Sequence, residues 1–115
     1  MYNGGEAPGG GVVIEWAPFR LRDGVTEADL LEAADVIQRE FLGRQPGFVR
    51  RELARGADGL WADVVHWADG AAAEAAMAAA ATSSTCRTYF ELMAGANGGA
   101  DPGEGLLHLQ RVRAY

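Results

Sequence analysis

One stretch constrains the fold of this chain more than any other, because residues 60 to 81 join an apolar strand pattern to an alanine-rich helix pattern. Residues 60 to 67 read Leu-Trp-Ala-Asp-Val-Val-His-Trp, a composition that favours a central strand. Between residues 71 and 81 only Glu74 and Met77 are not alanine, and alanine is the strongest helix former. His66 and Trp67 end the predicted strand, where small folds commonly place chemistry.

The rest of the chain supplies the other elements of one fold. The sequence predicts strands at 12–17, 48–54 and 106–115, a helix that begins at the cap residue Thr26, and a short further helical segment at 86–93. Asp58-Gly59 predicts a tight hairpin turn before the strand at 60–67. The order strand, helix, strand, strand, helix, strand indicates an α+β fold of the ferredoxin-like, split βαβ type, with a four-stranded antiparallel sheet.

Strand alternation and special residues predict which side chains face the core. Val49 and Leu53 are expected to face it. The arginines of the same strand are expected to be solvated edge charges, with contact of one of them to an acidic ligand as the alternative: Arg50, Arg51 and Arg55. Pro18 is expected to end regular pairing of the first strand or to mark an edge.

Composition bounds the domain organisation and the setting. Residues 1 to 11 hold five glycines and a proline and are predicted to be a flexible tail, with 12 to 115 forming one domain. The net charge of −6 argues against nucleic acid as a partner, and no uninterrupted apolar run reaches membrane-spanning length. A single cysteine and the lack of a signal-peptide pattern predict a cytoplasmic protein.

The predicted sheet has two faces, but the two predicted helices cover only one of them. An exposed apolar sheet face is costly, so a second copy of the chain is the expected cover. The sequence therefore predicts a homodimer, with two ferredoxin-like subunits forming an α+β barrel.

Several of these segments together resemble a known family. Pro46-Gly47-Phe48 opens the second strand, Leu53 lies within it, Trp67 ends the third strand, and the alanine-rich helix follows. This pattern, over roughly residues 12 to 94, resembles the antibiotic biosynthesis monooxygenase-like proteins of the dimeric α+β barrel superfamily. The resemblance implies a cofactor-independent monooxygenase acting on a hydrophobic aromatic or polyketide-derived small molecule.

The chain departs from this family in ways that keep other functions open. The oxygenases it resembles typically use an asparagine near the substrate, whereas this chain has asparagine only at Asn3 and Asn97. Haem-degrading members carry a histidine on the second helix, and the predicted second helix has none, so no cofactor is expected. The alternatives are a polyketide cyclase or isomerase using acid–base catalysis, or a small-molecule-binding dimer without catalysis.

The candidate catalytic residues are His66 and Tyr89. A neutral imidazole can accept a proton near pH 7, so His66 is a candidate general base. Tyr89 is a candidate hydrogen-bond donor to a substrate oxygen. For each, a purely structural role is the alternative, and no Cys/His spacing typical of a metal site occurs.

A further set of residues is predicted to bind substrate. Alternation puts Trp61 and Trp67 on one face of their strand and His66 on the other. The third and last strands are both expected to flank the first, so His66, Glu15 and His108 could approach one another if their side chains share a face. Arg87 beside Cys86 could lower the pKa of the thiol, although a buried structural thiol is the commoner case. The predicted substrate-binding residues are Trp16, Trp67, Trp61, Phe90, Cys86, His108 and Glu15.

Overall fold

A computed structural model describes residues 11–95 and 105–115. The predicted tail therefore lies outside the described residues apart from residue 11, and so does the segment 96–104. The elements are β1 (Val13–Arg20), α1 (Glu27–Glu40), a short 3-10 turn (Leu42–Arg44), β2 (Phe48–Arg55), β3 (Leu60–Trp67), α2 (Gly70–Ala80), α3 (Ser84–Phe90) and β4 (Leu107–Gln110).

The four strands form one antiparallel sheet in the order β2-β3-β1-β4. β1 pairs along its whole length with β3 and, from Val13 to Trp16, with β4. The element order and the sheet order confirm the predicted ferredoxin-like fold, including the placement of β1 between the third and last strands.

The helices pack on one face of this sheet, and the core lies between them. Val65 and Trp67 of β3 are buried with Ala73 and Ala76 of α2. A second cluster surrounds Phe19 of β1 and is formed by Leu30, Ala34, Ile37, Phe41, Trp61, Cys86, Tyr89 and Met93. The alanine side chains of α2 let this helix lie close to the sheet.

Each helix begins at a polar side chain that accepts a backbone N–H bond. The Thr26 hydroxyl accepts from Asp29 N–H at 3.0 Å, and the Asp29 carboxylate accepts from Thr26 N–H at 2.9 Å, which is a capping box. Asp69 caps α2 and Ser83 caps α3 in the same way. These bonds confirm the predicted caps Thr26 and Asp69.

The face of the sheet opposite the helices carries exposed apolar side chains. Trp16 is 38%, Leu107 53% and Leu109 49% exposed, and the pairing of β1 with β4 places all three on that face. None of the described helices covers them.

A bulge in β2 corrects the predicted orientation of its side chains. The register shifts between Phe48 and Arg50, so that one extra residue changes the alternation. Val49 is consequently exposed rather than in the core. Arg51 points towards the helices, with its side chain only 7% exposed, so the prediction of a solvated charge is wrong for this arginine.

Two strand boundaries also differ from the sequence prediction. β1 continues past Pro18, which pairs with Ala62 of β3; β4 already stops opposite Trp16, so the proline faces no described strand on its other side. β4 covers four residues rather than the predicted 106–115. No helix within residues 11–95 and 105–115 combines the length and apolar character needed to cross a membrane.

Candidate active site

A cavity of about 630 Å³ lies between the helix-facing side of the sheet and the helices. Its walls are mainly apolar, and its volume is within the range of small-molecule sites. β1 and β3 supply its floor, and α1, α2 and α3 supply its sides. The lining includes Glu15, Phe19, Asp63, Val65, Trp67, Ala76, Met77, Ala80, Cys86, Tyr89 and Phe90, with Arg22, Arg87 and Glu91 among its charged residues.

The alanine-rich helix both packs and leaves space. Ala73 and Ala76 are buried against the sheet, while Ala76, Ala80 and Ala81 border the cavity. Larger side chains at these positions would occupy the volume that the cavity now provides.

The first polar centre of the cavity is a buried ion pair between Arg51 and Asp63, to which Tyr89 is hydrogen-bonded. Arg51 Nε donates to Asp63 Oδ1 at 2.8 Å, and Arg51 Nη2 donates to the Tyr89 hydroxyl at 3.1 Å. The Tyr89 hydroxyl in turn donates to Asp63 Oδ2 at 2.6 Å. Arg51 Nη1 also donates to the Ala34 carbonyl oxygen on α1, at 3.0 Å. The network therefore joins β2, β3, α1 and α3.

The electrostatics of this centre fix the protonation of its members. Burial and the neighbouring Asp63 carboxylate raise the pKa of Tyr89 well above its ordinary value. Burial opposes the charge of Arg51, but Asp63 outweighs this effect, and the pKa of Arg51 is raised. Tyr89 is thus a neutral phenol, and in this geometry its proton is donated to Asp63 rather than into the cavity.

The second polar centre is Glu15, on the same face of the sheet. Glu15 Oε1 accepts a bond from Trp67 Nε1 at 3.1 Å and lies 3.2 Å from His108 Nε2. Its other oxygen, Oε2, has no hydrogen-bond partner among the described residues. Both partners hold one oxygen of the carboxylate, and no described residue binds the second.

The two carboxylates are close neighbours in the sheet. Glu15 pairs with Val65, and Ala17 pairs with Asp63, so Glu15 and Asp63 are diagonal neighbours on adjacent strands. Asp63 is neutralised by Arg51, whereas the polar partners of Glu15 in the described part of the chain are an indole N–H and an imidazole.

The structure divides the sequence-predicted site residues into two groups. The cavity lining contains Glu15, Trp67, Cys86, Tyr89 and Phe90, and His108 adjoins it through Glu15. The other predicted residues do not line this cavity: His66, Trp16 and Trp61.

His66 lies on the opposite face of β3 from Trp67, as alternation predicts. Its Nε2 atom is 3.4 Å from Glu52 Oε1, and it shares this face with Trp16 of β1. Trp61 points towards the helices but belongs to the core cluster around Phe19. Among the two histidines of the chain, only His108 is connected to the cavity.

Cys86 is a buried thiol at the cavity wall. Its exposure is 1%, and burial raises the pKa of the thiol despite the bond it makes with Ser83. The possibility that Arg87 lowers this pKa is therefore contradicted, and the structural alternative fits the environment of the side chain.

Sequence reasoning missed Arg51 and Asp63 as site residues. The available signal was Asp63 itself, because a carboxylate at an inward position of an apolar strand requires a buried partner. The bulge that turns Arg51 inward leaves no comparable pattern in the sequence. Within residues 11–95 and 105–115, no three His, Cys, Asp or Glu side chains are grouped in a way that could hold a metal ion.

Comparison with known proteins identifies structural relatives. SnoaB, a cofactor-independent oxygenase from Streptomyces nogalater, superposes with a TM-score of 0.64 at 21% identity, over 90% of this chain and 96% of its own. A protein from Bordetella bronchiseptica, provisionally named an antibiotic biosynthesis monooxygenase, gives 0.64 at 20% identity over 90% and 99% of the two chains. A protein from Nitrosomonas europaea with the same provisional name gives 0.64 at 16% identity, over 90% and 92%.

These identities are low, so the comparison establishes the fold. No family model and no curated protein matches the sequence. The chain has the ferredoxin-like fold of the antibiotic biosynthesis monooxygenase-like proteins, as the resemblance in its sequence implied.

Proposed function

We propose that this protein is a cofactor-independent monooxygenase-like enzyme that binds a hydrophobic aromatic or polyketide-derived small molecule in the cavity over β1 and β3. The observation that carries the proposal is the Glu15 carboxylate in an apolar cavity, with Oε1 held by Trp67 and His108 and Oε2 free of described partners. Such a carboxylate is a positioned base beside a surface that suits an aromatic ring.

Proton removal is the step that these residues can perform. A phenolic substrate gives its proton to Glu15, and His108 can share this proton through the 3.2 Å contact. The phenolate that forms is electron-rich enough to react with dioxygen. For 1-naphthol the balanced reaction consumes one dioxygen, places one oxygen atom on the ring carbon para to the hydroxyl, and yields a para-quinone and water.

The other side chains of the cavity shape the site. Trp67 and Phe90 supply aromatic surface for the substrate ring. The network of Tyr89, Asp63 and Arg51 holds α3 against the sheet, so Tyr89 is here a positioning residue. This proposal assigns the role of base to Glu15 with His108, and not to His66, which faces away from the cavity.

Oxygen consumption with 1-naphthol tests the proposal, with quinone formation followed by absorbance in buffer containing EDTA. Glu15→Gln should fold and should lower turnover by about a hundredfold or more, the usual scale for losing a positioned acid–base group. Glu52→Gln and His66→Gln are matched controls on the opposite face of the sheet and should keep the parent rate. Equal turnover by Glu15→Gln and the parent would contradict the assigned base.

A second candidate is a cyclase or isomerase that uses the same acid–base groups without dioxygen. The arrangement that favours it is Glu15 with His108, since a carboxylate and an imidazole that share a proton suit successive proton transfers. A polyketide-like diketone converted at the same rate with and without oxygen would identify this activity. Tight binding of either substrate without turnover would instead indicate a binding protein.

We also propose that the enzyme is a homodimer. Trp16, Leu107 and Leu109 are exposed on the sheet face that the helices leave uncovered, and a second copy of the same face would bury them. His66 would then lie beside or within the subunit interface, which gives this histidine a structural role.

A further inference from the structure

Two arginines at the cavity differ from most arginines of the chain, because no carboxylate of the described residues pairs with them. Arg39, Arg44, Arg50, Arg51 and Arg55 each pair with a carboxylate. Arg22 and Arg87 line the cavity, are exposed, and have no carboxylate partner within residues 11–95 and 105–115. Among the described residues, therefore, no carboxylate neutralises either cationic group.

The guanidinium of Arg22 is held in position by the backbone. Its Nε atom donates to the Glu91 carbonyl oxygen at 2.9 Å, and Arg22 N–H donates to the Leu92 carbonyl oxygen at 2.8 Å. The two terminal nitrogens of Arg22 have no partner among the described residues. A guanidinium with its terminal nitrogens free presents a planar fork that matches the two oxygens of a carboxylate.

Arg87 lies one helical turn before Glu91 and lines the same cavity as Arg22. The N–H of Glu91 donates to the Arg87 carbonyl oxygen at 2.9 Å, so Glu91 is bonded through its backbone to both arginines. Glu91 also lines the cavity, and its carboxylate makes no ion pair with either arginine.

Glu15 and Asp63 lie on the sheet floor with side chains 15% and 10% exposed, where they disfavour an anion. The rim carries the exposed Arg22 and Arg87 together with the exposed Glu91. Two cations against one carboxylate favour an anion at the rim. A ligand that suits both regions has an apolar aromatic body for the interior and a carboxylate at one end.

We propose that Arg22 and Arg87 form a carboxylate-binding rim, and that the ligand of this cavity is an aromatic acid. This inference rests on the proposed function for the location of the substrate, and it adds the class of substrate. The arginines orient the ring by its acid group and point the opposite end of the ligand towards Glu15.

Binding of 5-hydroxy-1-naphthoic acid and of its methyl ester, followed by tryptophan and ligand fluorescence, tests this inference. The two probes differ in the negative charge and in one methyl group. The parent protein should bind the acid at least about tenfold more tightly than the ester, the scale of a charge-assisted hydrogen bond. Arg22→Gln and Arg87→Gln should each reduce this preference while leaving ester affinity unchanged. Arg39→Gln, an exposed arginine away from the cavity, is the matched control, and Glu91→Gln should tighten acid binding.

Several outcomes would overturn the carboxylate rim. These are equal affinities for acid and ester in the parent, an equal loss of both in the arginine variants, or no binding of either probe at millimolar concentration. Turnover separates this inference from the proposed function. Oxidation of the ester without a preference for the acid would reject the carboxylate-binding rim but support the proposed oxygenase function. Acid-selective binding without oxygen consumption would support the rim but reject the oxygenase function.

Discussion

The hydroxyl group of Tyr89 donates a 2.6 Å hydrogen bond to Oδ2 of Asp63 and so ties α3 to the middle of β3. Arg51 of β2 binds both of these side chains. The Tyr89–Asp63 bond therefore sets the wall of the cavity against its floor, and the buried charge of Arg51 maintains it.

Removal of Arg51 should cost far more stability than removal of its sequence neighbour. Arg51→Met leaves the Asp63 carboxylate buried without a cation, which costs on the order of 3–5 kcal/mol. Arg50→Met is the matched control, because Arg50 forms an exposed pair with Glu52 and should change stability by less than about 1 kcal/mol. Urea unfolding measures both values. Similar losses for the two variants would contradict the structural role of Arg51.

The raised pKa of Tyr89 should make the stability of the protein fall as the pH becomes alkaline. This pKa is raised in the folded state above the ordinary value of 10.0, so above about pH 10 the unfolded chain loses a proton that the folded chain retains. The free energy of unfolding should then fall with pH, by up to about 1.4 kcal/mol per pH unit. Tyr89→Phe should lack this part of the slope, as measured by urea unfolding between pH 9 and 11. An unchanged slope in the variant would show that Tyr89 ionises normally.

The sequence predicted the fold well because its strongest signals are local. The alanine run, the Asp58-Gly59 turn and the cap at Thr26 each specify backbone conformation within a few residues. Alternation along β3 also placed Trp67 and His66 on opposite faces correctly. Strand boundaries were predicted less accurately where pairing between distant segments decides them. At Pro18, β1 continues because it still pairs with β3, although its pairing with β4 has already ended at Trp16.

The site could be predicted only in part, because its polar centres join distant segments. Sheet order predicted that His66, Glu15 and His108 could approach one another if they share a face. In the structure Glu15 and His108 meet, whereas His66 lies on the opposite face. Arg51 was assigned to solvent because the bulge after Phe48, which changes its orientation, has no sequence signature. His66 attracted attention as an ionisable residue at a strand end, but the strand phase turns it away from the cavity.

Gly47 should be required for the position of α2. It has a φ of +83°, and a Cβ atom added there would overlap the Cβ atom of Ala72. Gly24 has a similar φ of +89° but open space around it. Gly24→Ala therefore measures the cost of the backbone conformation alone, about 1–2 kcal/mol. Gly47→Ala should cost about 1–3 kcal/mol more from overpacking and should weaken ligand binding in the cavity. If Gly47→Ala and Gly24→Ala lose the same stability in thermal unfolding, α2 must shift to accommodate the added methyl group without a cost in free energy.

The uncovered face of the sheet should hold two copies of the chain together. Trp16 and Leu107 are directly paired across β1 and β4 on that face, and both are exposed in the single chain. Sedimentation at micromolar concentration should give twice the chain mass.

Leu107→Asp should produce a folded monomer, because a charge placed in an apolar interface costs several kcal/mol but costs little on an exposed surface. Leu31→Asp, a matched change at an exposed leucine on α1, should leave the dimer intact. A parent protein that sediments as a stable monomer would reject the barrel arrangement.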